Sequence, residues 1–232
     1  MRDDFRRLAH AGLTFNAPLS DERANALVAA LPISPGHHVL DLGCGWGEVL
    51  LRIIAAHPAT TGTGVDNERA DLDRGVRAAA RRGLHERVEF VEADATTFVD
   101  LADIVACVAS SHAFGEHADA LHRLRQSVTP GGRVLYGDGF WATPATPGAL
   151  ATIGLLPGRD ELRAAAASAG FRIERDEVST LDEWDAFEAG WRRGLEASPD
   201  PEAVAFAAQR QREYEDGYRG AIGFSWLVLA PL

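Results

Sequence analysis

Apolar positions along the chain fall into two rhythms that take turns. Short runs that are apolar on both sides occupy 37–42, 61–66, 87–93, 103–109 and 133–140. Between them lie longer segments in which apolar residues return every three to four positions. These are 46–57, with Val49, Leu50, Ile53 and Ile54 on one side, then 68–83 and 116–128. The first rhythm predicts strands buried on both faces, and the second predicts helices with one apolar stripe. The punctuation agrees. Ser20 and Asp21 cap a helix that runs to about 31 and stops at Pro32, Gly83 closes the 68–83 helix, and Pro130-Gly131-Gly132 ends the 116–128 helix. Strand and helix alternate five times, which is the pattern of an α/β protein with a mostly parallel sheet covered by helices on both faces.

After 140 the texture changes. Residues 141–157, rich in Pro, Gly and Thr, read as a loop, 160–169 as a helix closed by Gly170, and 171–178 as a strand. Two amphipathic helices, 181–198 and 202–218, are separated by Ser198-Pro199-Asp200-Pro201, and 221–230 is a last strand. Residues 1–20 show no clear period. The expected organisation is one domain over 1–232, with an N-terminal cover segment at 1–35, a core at 36–140 and a helical insertion at 181–219.

Composition narrows the chemistry. The chain has 232 residues, 46% hydrophobic and 25% charged, and a formal net charge of −11. Clustered cations drive phosphate-backbone binding, so no nucleic-acid partner is expected. All 23 basic residues are Arg, which excludes Schiff-base chemistry and any lysine-dependent phosphate loop. Cys44 and Cys107 are the two cysteines and form neither a disulfide framework nor a zinc knuckle. The first residues carry charge where a signal peptide has its apolar core, and no apolar run is long enough to cross a bilayer. The expectation is a cytoplasmic protein with no membrane partner.

The segment Val39-Leu40-Asp41-Leu42-Gly43-Cys44-Gly45-Trp46-Gly47 ends the first strand and opens a helix. Its glycines allow a sharp turn and close approach to a ligand, and the helix start behind them offers free amides. A dinucleotide fingerprint would need a third Gly at position 48, where Glu48 stands, so the pattern is acidic-x-G-x-G-x-G led by Asp41. Asp66 ends the second strand, where a carboxylate accepts both hydroxyls of a ribose. Asp94 ends the third, where a carboxylate accepts an adenine amino group. Ser110 and Asp138 follow the fourth and fifth strands, so all five residues converge on the rim at which open α/β sheets bind ligands. Each Asp alone is more often a strand-end or helix-cap residue than a ligand. Jointly, one glycine turn with acids at consecutive strand ends is hard to explain as capping.

On these residues the chain resembles the class I S-adenosylmethionine-dependent methyltransferases, over about 36–140 and more loosely to 232. The resemblance implies a Rossmann-like, seven-stranded, mostly parallel sheet, with one of the last two strands antiparallel and a helical insertion before the last. It implies S-adenosyl-L-methionine as cofactor and S-adenosyl-L-homocysteine as product. Asp41, Gly43, Cys44, Gly45, Trp46 and Gly47 would hold the methionine part, Asp66 and Asn67 the ribose, Asp94 and Ala95 the adenine, with Ser110 beside the methyl-transfer site.

His112 follows the fourth strand on the loop where the resemblance places the acceptor, and an imidazole titrates near neutrality, which makes it the candidate general base. Asp138 is the candidate to orient it; a loop-stabilising role suits Asp138 equally. Trp184, Phe187, Trp191 and Leu195 recur at helical spacing, as do Tyr214 and Tyr218, which marks buried stripes first of all. Phe15, Phe140, Trp141, Trp184, Trp191, Tyr214 and Tyr218 are the candidates to wall an apolar acceptor pocket. His112, His117 and His122 recur every five residues, off the spacing of helical metal ligands, and no metal is expected. The resulting expectation is methyl transfer to a small-molecule acceptor, with the atom methylated and the oligomeric state open. The competing readings are a non-catalytic nucleoside-binding protein and a macromolecule-directed methyltransferase.

Overall fold

The computed structural model describes residues 2–232. It holds a seven-stranded sheet in the order β3-β2-β1-β4-β5-β7-β6. The strands are β1 (His38–Leu42), β2 (Thr61–Asp66), β3 (Val88–Glu92), β4 (Ala102–Val108), β5 (Val128–Trp141), β6 (Phe171–Val178) and β7 (Ile222–Pro231). β1 pairs in parallel with β2 and β4, β2 with β3, and β4 with β5. Leu232 N donates to Gly170 O and Ser179 N to Phe224 O, so β6 and β7 run antiparallel. Ala142 N donates to Ala221 O, so the end of β5 meets the start of β7. The order reverses between β1 and β4, and the chain-order jump there opens the crevice that α/β folds use for ligands.

The helices are α1 (Asp3–Ala11), α2 (Asp21–Ala30), α3 (Glu48–Ala56), α4 (Arg69–Arg81), α5 (His117–Ser127), α6 (Pro147–Ile153), α7 (Arg159–Ser168), α8 (Leu181–Glu196) and α9 (Pro201–Arg212). The chain divides into two compact units. One comprises Asp21–Asp138, Asp160–Glu177 and Ser225–Leu232; the other comprises the N-terminal segment through Ser20 with Gly139–Arg159 and Val178–Phe224. In the first unit Leu40, Leu42, Val105, Cys107, Leu121, Leu124, Val134 and Tyr136 belong to one buried cluster with Leu227 and Leu229. Burial of about 1.5–3 kcal/mol per large side chain holds the α/β layers together.

Four segments differ from the sequence expectation. Residues 3–11, read as without period, form α1: Phe5, Leu8 and Ala9 stand at i, i+3 and i+4 on one face, with Asp3 and Asp4 in the first turn and His10 in the last. Within the 141–157 stretch, α6 forms where the Thr146 side chain accepts from Ala149 N and Pro147 takes the first turn. β5 begins at Val128 and runs through Pro130-Gly131-Gly132, with a register irregularity against β4 between Ala102 and Ile104. The 202–218 helix breaks at Arg212 into a π-helical turn, Glu213–Tyr218.

Candidate functional site

Asp41 and Leu42 end β1, and residues 43–47 turn the chain into α3. Gly43 N and Cys44 N both donate to Val65 O, at 2.9 and 3.0 Å, which ties the turn to the end of β2. Gly43 has φ +74, and a Cβ there would meet Ser110 Cβ at 2.4 Å, so the loop after β4 lies directly against the turn. Gly45 has φ +54, and nothing stands within 4 Å of where its Cβ would be. That side of the turn is open for close approach of a ligand.

The acids at the strand ends are held differently. Asp66 Oδ2 accepts from Gly45 N at 2.7 Å and Oδ1 from Glu68 N at 2.9 Å, so this carboxylate braces the turn and the entry to α4. Asp94 Oδ1 accepts from Thr96 N and Thr96 Oγ1, at 2.8 and 2.7 Å. Those hydrogen bonds hold its exposed carboxyl below the ordinary range. Asp41 is 3% exposed, and no hydrogen bond to its carboxylate exists among the described residues. Burial first, and then the charge of Asp66, push its carboxyl up to about 7. Burial, with the charges of Asp41 and Asp66, likewise raises the Cys44 thiol well above its usual range, so the thiol stays protonated. Ser110 Oγ donates to Leu42 O at 3.0 Å, and Ala109, with φ 55, makes the sharp corner before it. Ala95 is buried and Asn67 exposed.

This arrangement fits a cationic, hydroxyl-bearing ligand: a buried carboxylate without a partner, an open glycine flank, and carboxylates with spare lone pairs at two adjacent strand ends. The sequence pattern of the family described as Methyltransferase domain matches residues 39–132. The uncharacterized protein YjhP of Escherichia coli strain K12 is 34% identical over 211 residues, covering 84% of this chain and 82% of that one. A SAM-dependent methyltransferase from Geobacter sulfurreducens, crystallised with S-adenosyl-L-homocysteine, is 28% identical and superposes with a TM-score of 0.89 over 100% of this chain and 99% of that one. The chain belongs to the class I S-adenosylmethionine-dependent methyltransferases. The trans-aconitate 2-methyltransferase of Paracidovorax citrulli is 34% identical over 119 residues, 48% of this chain and 44% of that enzyme, so this methyltransferase spans less than half the length of that relative.

Around the 43–47 turn the methyltransferase carries a feature that the sequence pattern does not announce. The Arg74 guanidinium, from α4, lies 4.0 Å from the centre of the buried Trp46 ring. The only advance signal was position: Arg74 lies on the helix that follows Asp66. On the loop after β4, Ser111 N donates to Asp138 Oδ2 at 3.3 Å, while the His112 ring is exposed and has no side-chain partner among the described residues. Asp138 therefore holds the loop, and the structure does not bring it to the His112 ring. His117, weighed from sequence only as a metal ligand, and Tyr136, not singled out there, lie 2.8 Å apart beside Ser111.

In the other unit of the methyltransferase, residues 12–20 and one face of α8 line an open pocket of about 320 Å³. Phe15 and Phe187 wall it, Ala186 and the backbone at Gly190 leave room, and Asp182 and Arg193 add charge. Of the seven candidate acceptor-pocket residues, Phe15 alone lines it. Trp184 meets Phe187 edge-on, Trp191 packs on Phe206, and Phe140 packs where any side chain at Gly223 would be. Trp141 Nε1 donates to Gly154 O. The Tyr214 and Tyr218 hydroxyls donate to Asp185 and Glu188.

Proposed function

We propose that this methyltransferase acts on a small-molecule acceptor and that its cofactor is held by the 41–47 turn with Asp66, Asn67, Asp94, Ala95 and Ser110. The observation that carries the cofactor assignment is the buried, unpartnered Asp41 carboxylate beneath a glycine turn braced by Asp66. When bound, S-adenosylmethionine supplies an already activated methyl carbon, so the protein's task is orientation and exclusion of water. Asp41 meets the ammonium, Asp66 the ribose hydroxyls and Asp94 the adenine edge. Support for a small acceptor comes from the open pocket along α8, whose volume of about 320 Å³ suits a small molecule. The net charge of −11 and the trans-aconitate relative point the same way.

Calorimetry with S-adenosylhomocysteine and NAD tests the cofactor, and mass spectrometry of methylated products from a panel of hydroxyl, carboxyl, amine and thiol acceptors tests the substrate class. Asp66→Ala should weaken S-adenosylhomocysteine binding by about 1.5–3 kcal/mol, because it deletes charge-assisted hydrogen bonds and also frees the Gly45 amide. Unchanged affinity in a folded variant removes Asp66 from the site.

We further propose that the insertion at 181–219 gates acceptor binding. Amide exchange there should slow when cofactor and acceptor are both present. Exchange that ignores both ligands would reduce α8 and α9 to packing elements.

A further inference from the structure

Asp94 opens a closed turn. Asp94 O accepts from Thr97 N and Phe98 N, at 3.1 and 3.0 Å. Its side-chain Oδ1 accepts from Thr96 N and Thr96 Oγ1, at 2.8 and 2.7 Å. Both side-chain bonds land on one oxygen, and Oδ2 accepts no hydrogen bond among the described residues. The far end of the turn is gripped from α5. Arg123 Nε donates to Thr96 O at 3.3 Å and Nη2 donates to Phe98 O, while Nη1 donates to Ser127 Oγ at 2.6 Å. Ala95 and Phe98 pack against the core cluster. Apolar packing stops there, because Val99 is 90% exposed and Leu101 61%.

We infer that Arg123 is a positioning residue for base recognition: through the carbonyls of Thr96 and Phe98 it fixes how Asp94 Oδ2 presents its lone pairs. This rests on the reading of Asp94 as the acid at the adenine edge. The carbonyls that end a single turn of chain have no partner within the turn and need donors from outside it. The Nε and Nη2 edge of a guanidinium carries two donors in one plane at fixed spacing, which an ammonium lacks. Here that edge holds two carbonyls two residues apart, so the turn cannot rotate without breaking charge-assisted bonds. Thr96 passes the constraint on. Its carbonyl is held by Arg123, and its amide and hydroxyl hold Asp94 Oδ1. With Oδ1 committed to Thr96, the plane of the carboxylate is set and Oδ2 is the oxygen left for the amino group of a purine. A purine with a carbonyl at that position would bring lone pairs against lone pairs. Arg123 thus governs specificity for the base from α5, without touching the base.

Calorimetry on the full-length protein tests this with two ligands, S-adenosylhomocysteine and S-inosylhomocysteine, which carries a carbonyl oxygen in place of the adenine amino group. Wild-type protein should prefer the adenine ligand about 10–100-fold. Arg123→Met keeps the length of the stem and loses the donors. It should lower that preference about tenfold, by weakening S-adenosylhomocysteine while S-inosylhomocysteine stays within about twofold. An arginine that only supported the fold would weaken both ligands alike. Thr96→Val deletes one hydroxyl bond to Asp94 at a half-buried position, and should lower the preference about threefold. Should Arg123→Met fail to fold, Thr96→Val decides. An unchanged preference in either variant, or equal loss of both ligands in Arg123→Met, overturns the role of Arg123. Wild-type protein that binds S-adenosylhomocysteine without preferring it would instead strike the reading of Asp94 beneath it, which separates the two failures.

Discussion

Asp41→Asn should make the protein more stable above neutral pH while weakening its hold on the cofactor. The Asp41 carboxyl is pushed up to about 7 in the folded chain, against 3.8 for an ordinary aspartate. Between those pH values the native state keeps a proton that the unfolded chain has released. The contribution of this group to stability is complete below about pH 4 and is lost as the pH rises through 7. At pH 8 the wild-type chain therefore folds around a desolvated carboxylate that no donor satisfies. The asparagine keeps the shape without the charge, so it should gain on the order of 2–4 kcal/mol at pH 8 and nothing at pH 4. Urea unfolding across that range measures it, and parallel stability curves for the two proteins would refute it. The cost appears in binding. A ligand ammonium stabilises the ionised form of Asp41, so S-adenosylhomocysteine should displace a proton below pH 7, and calorimetry in buffers of different ionisation enthalpy counts that proton. Asp41→Asn should abolish the proton release and weaken affinity about 10–100-fold.

The alternating sheet and the acids at its rim were legible because each depends on a local signal. A buried parallel strand is a short apolar run, and the turn after it needs glycine. Asp41, Asp66 and Asp94 stand at or just past the strand ends that periodicity marks. α1 was missed although Phe5, Leu8 and Ala9 stand at helical spacing, because a stripe of one turn among charged residues is too short to mark a period by itself. α6 hid in a Pro- and Gly-rich stretch, although Thr146-Pro147 is itself a helix-start signal. The aromatic residues of 184–218 show where sequence runs out. Their spacing gives a face, but what a tyrosine hydroxyl meets depends on which acid the next helix brings. His117 and Tyr136 meet across 19 positions of chain, between a helix start and a strand, and no local pattern reports that pairing.

The largest loss of stability should follow from Arg210→Ala. Glu188, on α8, is 0% exposed. Arg210 Nε and Nη2, from α9, donate to its two oxygens at 3.0 and 2.8 Å, and the Tyr218 hydroxyl donates to Oε1 at 2.9 Å. The Arg210 guanidinium also lies 4.8 Å from the Trp191 ring centre. Removing the arginine leaves a buried carboxylate with one neutral donor, which costs about 3–5 kcal/mol. One turn away along α8, Asp185 accepts from Tyr214 and Arg219 in the same fashion. Those bonds hold the Asp185 carboxyl down to about 2. That pair is solvent-exposed, so Arg219→Ala should cost under about 1 kcal/mol despite equally short bonds. The contrast between the two arginines isolates burial from geometry, and equal losses in denaturant unfolding would show that desolvation is not the deciding cost. The π-helical turn at Glu213–Tyr218 belongs to the same logic. Asp185 and Glu188 are three positions apart on α8, while Tyr214 and Tyr218 are four apart, and the widened turn brings both hydroxyls onto their acids. Both tyrosines, put forward from sequence as walls of an acceptor pocket, are thus committed to joining α8 to the chain that follows α9. If α8 and α9 gate the acceptor, they do so as one clamped piece, and Arg210→Ala should loosen amide exchange across 181–219 together rather than in either helix alone.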